Sequence, residues 1–170
     1  MLRNSWDVIH SSKNHSWRTP RNVFDALDEE FHFLIDVAAA EENALCEFFV
    51  TEEMDALGPK SWVDYLPMTN QSGSAWMNPP YGRGVGSWLE RAYNESAQNG
   101  LTVVCLVMAC TDTRWWADWV WKAEEVRLVS GRIKFLDHEG KPRAAAPKGS
   151  AIVIFSPDWK GPPSVKLWSP

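Results

Sequence analysis

The sequence predicts an α/β fold whose mostly parallel sheet ends in a C-terminal antiparallel hairpin. Short apolar runs alternate with amphipathic stretches along the chain, which is the pattern of alternating strands and helices. The run 101–109 is almost entirely apolar, as expected of a strand that is covered on both faces. Near the end of the chain three strand-like segments follow one another, and these predict the hairpin.

The elements of the first half follow from caps and apolar spacing. Thr19 is the expected N-cap and Pro20 the expected first residue of a helix, because each residue type favours that position. Apolar residues then recur on one helical face. Short apolar runs predict the next three strands, at 33–38, 46–50 and 75–77. The stretch 58–74 contains Pro, Asn, Ser and Gly and is expected to be a connection.

The second half is predicted to alternate helices with strands before it closes. Helical spacing of apolar residues predicts helices at 88–97 and 113–123, on either side of the strand 101–109. The three closing strands are expected at 125–129, 132–136 and 150–155.

The length of 170 residues and the 45% hydrophobic content allow one buried core, so a single domain is expected. Its expected limits are a flexible arm at 1–16, the domain at 17–155 and a loosely packed tail at 156–170. No apolar run approaches the roughly 20 residues of a membrane span, and no signal peptide is visible, so a cytosolic location is expected.

Cysteines and histidines give no sign of a metal site. Cys46, Cys105 and Cys110 form no C-x-x-C pair and lie in apolar stretches, so all three are expected to be reduced core residues. The four histidines lack ligand spacing. Neither a metal nor a disulfide is therefore predicted.

The charge is unevenly distributed. The net charge of −5 argues at first against nucleic acid, yet residues 101–170 hold ten Lys and Arg against seven Asp and Glu. The stretch 131–149, called here the basic segment, is the predicted contact with a DNA backbone. A solvated surface loop is the alternative. Its basic residues are Arg132, Lys134, Lys141, Arg143 and Lys148.

The residues Asn78, Pro79, Pro80 and Tyr81 follow a short apolar strand, so they are expected at the carboxyl end of that strand, where α/β folds bind ligands. The side-chain oxygen of Asn78 and the carbonyl of Pro79 could each accept a hydrogen bond from one planar amino group. Paired prolines stiffen the loop. Tyr81 offers an aromatic face to a base rotated out of a duplex. The alternative is a strand-ending turn with an aromatic anchor.

Other residues near this motif have candidate roles. The run Gly82 to Gly86 fits neither the dinucleotide nor the Walker pattern and is predicted to be a mobile lip, with Arg83 available to a phosphate. Phe135 is predicted to be the opposite face of an aromatic clamp, or else an ordinary core residue. Four tryptophans on one helical segment cannot all face one way, which leaves base stacking and homodimer packing open. They are Trp115, Trp116, Trp119 and Trp121.

Six separated blocks then stand out. They are Trp17-Arg18-Thr19-Pro20, Asp36-Val37-Ala38-Ala39 with Asn43, Glu53 to Leu57, Asn78 to Arg83, Thr111 to Trp116, and Gly131 to Phe135. In this order they resemble the phage-type DNA N6-adenine methyltransferase family, over roughly 17–155. The resemblance implies a Rossmann-like class I methyltransferase that uses S-adenosylmethionine to methylate N6 of a flipped adenine in DNA. For a phage protein it implies the host cytoplasm.

The resemblance also implies a donor site. In such enzymes the Thr-Pro block touches the methionine end of the donor, Asp36 helps to hold its ammonium group, and Asp55 recognises its adenine amino group. From the residues alone, Asp36 could instead cap its own turn and Asp55 belong to a solvated helix start. Alanines stand where many methyltransferases have Gly-x-Gly after the first strand. The implied donor residues are Trp17, Thr19, Pro20, Asp36, Ala38, Ala39, Asp55 and Asn78.

Two other functions remain open from the sequence. The same tetrapeptide would serve methyl transfer to another amino nitrogen, such as cytosine N4, a guanine in RNA or a protein glutamine. A non-catalytic DNA-binding module on the same fold is the second alternative. A chain this short leaves target specificity to loops such as 58–74 and 137–149, or to a second subunit.

Overall fold

The computed structural model describes residues 17–68 and 73–170, so the predicted arm at 1–16 lies outside the described residues. The strands are β1 (Phe33–Asp36), β2 (Phe48–Phe49), β3 (Ser74–Met77), β4 (Thr102–Met108), β5 (Glu125–Val129), β6 (Ser150–Phe155) and β7 (Ser164–Trp168). The α-helices of the described residues are α1 (Arg21–Phe31), α2 (Val85–Asn99) and α3 (Arg114–Trp119). Two 3₁₀ helices lie at Trp62–Tyr65 and Val120–Lys122.

The described strands form one mixed seven-stranded sheet in the order β2-β1-β3-β4-β6-β5-β7. Strands β2, β1, β3 and β4 run parallel to one another, whereas β6 is antiparallel to both β4 and β5. The predicted α/β class is confirmed, and β5 and β6 have the predicted limits.

Both faces of the sheet are covered by buried apolar side chains. In β4, Val103, Cys105 and Val107 pack towards α2 and α3, while Val104 and Leu106 pack towards α1. This alternation follows from the two-residue period of a strand. It makes β4 the central, doubly covered strand that its apolar run predicted.

The predicted strand 132–136 is wrong. The only ladder pairing in this range is at Leu136, which forms isolated bridges with Arg18 and Pro142. Ile133 and Phe135 are buried in the core on the α1 side, so burial produces the apolar alternation without a sheet partner. The predicted hairpin partner of β6 is therefore replaced by β5, which pairs with it antiparallel across the long connection 130–149.

Two further expectations differ from the structure. The tail was expected to pack loosely, but β7 pairs in parallel with β5 over five residues and extends the sheet. Helix α1 begins at Arg21 with Pro20 as its N-cap residue, which has no side chain able to cap the helix. Thr19 lies one residue before this N-cap position, and its hydroxyl accepts a hydrogen bond from Asn78 Nδ2.

Strand direction places the candidate site. Because β1, β3 and β4 are parallel, their carboxyl ends lie at one edge of the sheet, called here the carboxyl edge. Strand β1 ends at Asp36, and β3 ends just before Asn78.

The described residues hold no helix that could cross a membrane and no group of three candidate metal ligands. The three cysteines are free, and only Cys105 is fully buried, whereas Cys46 and Cys110 are half-buried.

Candidate active site

A cavity of about 850 Å³ opens at the carboxyl edge. Its volume lies within the roughly 300–1,000 Å³ of small-molecule sites. It collects residues that are far apart in the sequence, from the segment before α1, the turn after β1, the 50–57 loop and the loop after β3. Of the predicted site residues, it is lined by Trp17, Thr19, Asp36, Ala38, Ala39, Asp55, Asn78 and Pro80.

The amide of Asn78 is held on one side only. Its Nδ2 donates to the carbonyl of Trp17 at 2.7 Å and to the hydroxyl of Thr19 at 3.1 Å. Its Oδ1 is buried and has no hydrogen-bond partner among the described residues. An unsatisfied buried acceptor costs about 1–3 kcal/mol. A ligand that donates a hydrogen bond at this point would remove that cost.

The loop after Asn78 places the rest of the motif. Pro79 is buried and Pro80 is exposed at the cavity wall. Tyr81 is half-buried, and its hydroxyl donates to the carbonyl of Leu106 at 3.5 Å. Burial of this phenol raises the pKa of Tyr81.

Trp17, Tyr81 and Phe135 form an aromatic cluster. The ring centroids of Trp17 lie 6.0 Å from Tyr81 and 5.3 Å from Phe135, and those of Tyr81 and Phe135 are 5.8 Å apart. All three contacts are edge-to-face. Phe135 has no exposed surface. In this conformation the rings of Tyr81 and Phe135 touch each other and do not form the open clamp that the sequence predicted.

Asp36 is a buried carboxylate at the cavity wall, with 4% of its surface exposed. Its two oxygens accept hydrogen bonds from the backbone N–H groups of Ala38 at 3.3 Å and Leu45 at 3.2 Å. Burial raises the pKa of Asp36 to about 6, although these two hydrogen bonds lower it. It forms no ion pair with the described residues. Asp36 thus both caps its own turn and faces the cavity.

The remaining predicted donor residues are small or exposed. Ala38 and Ala39 line the cavity beside Asp36 and leave room for close approach. Asp55 is exposed and adopts a left-handed backbone, with φ +53°, and its Oδ1 accepts a hydrogen bond from the N–H of Leu57 at 3.2 Å. Pro20, the N-cap residue of α1, does not line the cavity.

The basic segment is mostly exposed, as a DNA contact requires. Arg132, Lys134, Lys141 and Lys148 are exposed, and Arg143 is half-buried. Arg132 donates to the carbonyl of Ala146, Lys141 pairs with Glu139, and Lys148 lies 3.5 Å from the sulfur of Cys110.

Two other predicted DNA contacts differ in their surroundings. Arg83 is exposed in the turn before α2. The guanidinium of Arg143 lies 5.6 Å from the ring centroid of Trp17, so the basic segment contacts the aromatic cluster.

Among the predicted tryptophans, Trp116 is buried whereas Trp121 is exposed.

Sequence reasoning missed two parts of the molecule. The contacts of Asn78 with Trp17 and Thr19 join residues about sixty positions apart, and no local pattern announces them. Glu95 is buried and accepts hydrogen bonds from the Ser61 hydroxyl and the Trp62 N–H. A signal for Glu95 did exist, because helical spacing from Leu89 and Ala92 puts it on the buried face of α2.

Comparison with known proteins gives a consistent result. Residues 8–167 match the family model described as DNA N-6-adenine-methyltransferase (Dam). A DNA N-6-adenine-methyltransferase of Haemophilus phage HP1 is 31% identical over 145 residues, which are 83% of this chain and 78% of the relative. One from Escherichia phage T1 is 29% identical over 156 residues, covering 82% of this chain and 61% of that protein.

Proposed function

The chain belongs to the DNA N-6-adenine-methyltransferase (Dam) family, and from this membership we propose that it methylates N6 of adenine in DNA with S-adenosylmethionine as donor. One observation of the structure carries the proposal. The Oδ1 atom of Asn78 is a buried acceptor without a partner among the described residues, at the wall of a cavity large enough for a nucleoside. The amino group of an adenine could donate the hydrogen bond that this oxygen does not receive from the described residues.

The fold supports this assignment. The sheet order, with a single antiparallel strand β6 inserted between β4 and β5, is the arrangement that we assign to a Rossmann-like class I methyltransferase. The cavity lies outside the carboxyl ends of the parallel strands, which is where open α/β sheets bind ligands.

The cavity residues fit the proposed donor. S-adenosylmethionine supplies an electrophilic methyl group on a positively charged sulfur. Asp36 would accept its ammonium group, because a buried carboxylate without a cation gains most from a positive partner. Asp55 would accept the adenine amino group of the donor, and the small side chains of Ala38 and Ala39 would let it approach the turn after β1.

The motif prepares the target nitrogen for attack. The lone pair of an exocyclic amine is delocalised into the ring, so the amine is a weak nucleophile. Asn78 Oδ1 and the carbonyl of Pro79 would each accept one N–H, which localises the pair on nitrogen. Because both acceptors belong to a stiff proline loop, they need no reorganisation during the reaction. No dedicated base is required, since the amine proton can leave to solvent after transfer.

The target adenine has to leave the duplex to reach this loop. Tyr81 would present its ring to the base from within the aromatic cluster. The exposed residues of the basic segment, together with Arg83, would contact DNA phosphates and position the duplex. Phe135 is buried beneath these groups, so its proposed role is to support Tyr81 and Trp17.

Product identification tests the proposal. The chain is incubated with labelled S-adenosylmethionine and unmethylated duplex DNA, and the digested nucleosides are analysed by mass. N6-methyladenine is the expected product. N4-methylcytosine would reject the adenine assignment. Absence of any modified base, together with no calorimetric heat from the donor, would favour the non-catalytic DNA-binding module.

A further inference from the structure

We propose that the carbonyl of Trp17 and the hydroxyl of Thr19, called here the acceptor pair, are positioning groups that fix the orientation of the Asn78 amide. The inference rests on the proposed function, because it assigns these groups a part in the same reaction. They act on Asn78 from 61 and 59 positions earlier in the chain. Neither group needs to touch the target base.

An asparagine amide has two ends of nearly equal shape and opposite chemistry. The oxygen only accepts hydrogen bonds, and the NH₂ group only donates them. A target amino group approaching the cavity needs an acceptor, so an amide turned by 180° would present the wrong end. The site therefore needs neighbouring groups whose hydrogen bonds favour one of the two amide orientations.

The acceptor pair makes this selection. The Nδ2 of Asn78 lies 2.7 Å from the Trp17 carbonyl oxygen and 3.1 Å from the Thr19 hydroxyl oxygen. Turning the amide would bring Oδ1 to 2.7 Å from that carbonyl oxygen, with two acceptors facing each other. The observed orientation uses both amide hydrogens and leaves Oδ1 buried and unpartnered among the described residues.

The segment that carries the acceptor pair is itself anchored. The backbone of Arg18 exchanges two hydrogen bonds with Leu136, at 3.1 and 2.9 Å. The ring of Trp17 packs within the aromatic cluster, and Thr19 is 5% exposed. Groups held in this way are preorganised, so they can hold the amide through the reaction without moving.

The geometry also distinguishes Asn from Asp at position 78. A carboxylate there would offer the same free acceptor to the target amine. Its second oxygen, however, would stand 2.7 Å from the Trp17 carbonyl with no hydrogen between them. Asn78→Asp should therefore lose activity in this chain, although the charge by itself would favour an amine.

The main test substitutes Thr19 and measures single-turnover methyl transfer at saturating donor. Saturation removes any effect of Thr19 on donor affinity from the measured rate. Thr19→Val removes the acceptor at nearly constant shape, and a rate three- to tenfold lower is expected, which is about the worth of one neutral hydrogen bond. Thr19→Ser keeps the hydroxyl and should restore the rate to within about twofold. Thr102→Val, at the start of β4 on the opposite edge, is the matched control.

A double-mutant cycle separates positioning from general damage. If Thr19 acts through Asn78, then Thr19→Val should lower the rate no further in an Asn78→Ala background. Equal fractional losses in both backgrounds would overturn the proposal. So would a loss that appears only in the KM for the donor, because Thr19 would then serve the donor alone.

Side-chain amide NMR provides a readout that does not depend on methylation. The Asn78 NH₂ signals are identified by their absence in Asn78→Ala, and both protons should exchange slowly with solvent. Thr19→Val should make one of them exchange faster. Fast exchange of both in the unsubstituted chain would overturn the inference.

The two proposals fail in distinguishable ways. A chain that methylates no DNA, while both amide protons remain protected, would contradict the proposed function and remove the role of the acceptor pair in it. A chain that produces N6-methyladenine at an undiminished rate after Thr19→Val would contradict the acceptor pair alone.

Discussion

Asp36 and Glu95 are both buried carboxylates, yet only one of them has its interactions completed within the chain. Glu95, near the end of α2, is 1% exposed and pairs with Arg91 at 2.7 Å. It also accepts hydrogen bonds from Ser61, Trp62 and Asn99. Asp36 is 4% exposed and accepts only two backbone hydrogen bonds, with no cation among the described residues.

The difference separates a structural site from a binding site. The Glu95 network joins α2 to the 58–62 loop, since Arg91 also donates to the carbonyls of Gly58 and Lys60. Both carboxylate oxygens of Glu95 have partners without a ligand, although the buried Nε of Arg91 has none among the described residues. At the carboxyl edge, by contrast, the described residues supply no cation to the Asp36 carboxylate and no donor to Asn78 Oδ1. A cationic methyl donor would supply the positive partner for Asp36, and an amine would supply the hydrogen bond for Asn78 Oδ1.

The largest expected effect is on turnover at Asn78. Asn78→Ala should retain donor binding and lower the methylation rate by about 100- to 1,000-fold, by analogy with the removal of one preorganised group from an active site. The matched control is Asn99→Ala, which removes a donor to Glu95 and should leave the rate per folded molecule unchanged. Initial rates with labelled donor provide the measurement. An equal loss in both variants would erase the distinction between the two regions.

Stability should respond in the opposite way. Glu95→Ala leaves Arg91 without its buried partner and should lower the free energy of unfolding by about 3 kcal/mol. Asp36→Ala should cost less, because it removes a buried charge that has no cation. Urea denaturation of both variants provides the comparison. An Asp36→Ala loss as large as that of Glu95→Ala would show that Asp36 is mainly structural.

Donor binding should depend on pH through Asp36. Its pKa of about 6 means that the carboxyl is protonated below that pH and loses its attraction for an ammonium group. Affinity for the donor should therefore fall by about tenfold per pH unit below pH 6. The stability of the fold changes in the opposite direction with pH. The native state binds this proton more tightly than the unfolded chain, so the contribution of Asp36 to the free energy of unfolding falls as pH rises from 3.8 towards 6. Calorimetry between pH 7.5 and 5 measures the binding, and Asp36→Asn should flatten the dependence.

The smallest expected effect concerns the basic segment. Lys134→Ala and Lys148→Ala should each weaken DNA binding with little sequence preference, and each should reduce the log–log salt slope by about 0.9 per lost phosphate contact. Lys160→Ala, which lies outside this segment, is the charge-matched control. Fluorescence anisotropy at several salt concentrations gives the slopes. Identical slopes for all three variants would locate the DNA surface elsewhere.

Much of the fold was predictable because its signals are local. The uninterrupted apolar run of β4 and the runs of β5 and β6 identify those strands, and the motif after β3 identifies the carboxyl edge. The segment 132–136 was wrongly predicted as a strand. Burial of Ile133 and Phe135 in a connection produces the same alternation of apolar and polar residues as a strand. The tail strand was missed for the opposite reason, since β7 is an exposed edge strand in which only Trp168 packs against the core.

The site was predictable in its chemistry but not in its contacts. Asn78 could be chosen because it follows a strand, and Asp36 because the family resemblance implies a donor contact for the acidic residue that closes the first strand. Parallel strands bring both positions to one edge. The acceptor pair could not be chosen, because it depends on how the segment before α1 crosses the end of β3. The edge-to-face contact between Tyr81 and Phe135 could not be predicted for the same reason: sequence gives the ring types but not the angle between the rings.

The position of the target nitrogen tests the central claim most directly. A crystal structure with duplex DNA and a donor analogue that lacks a transferable methyl group would measure it. The predicted result is an adenine rotated out of the duplex, with N6 about 2.7–3.2 Å from both Asn78 Oδ1 and the Pro79 carbonyl oxygen. An adenine bound in the cavity with N6 turned away from both oxygens would contradict it.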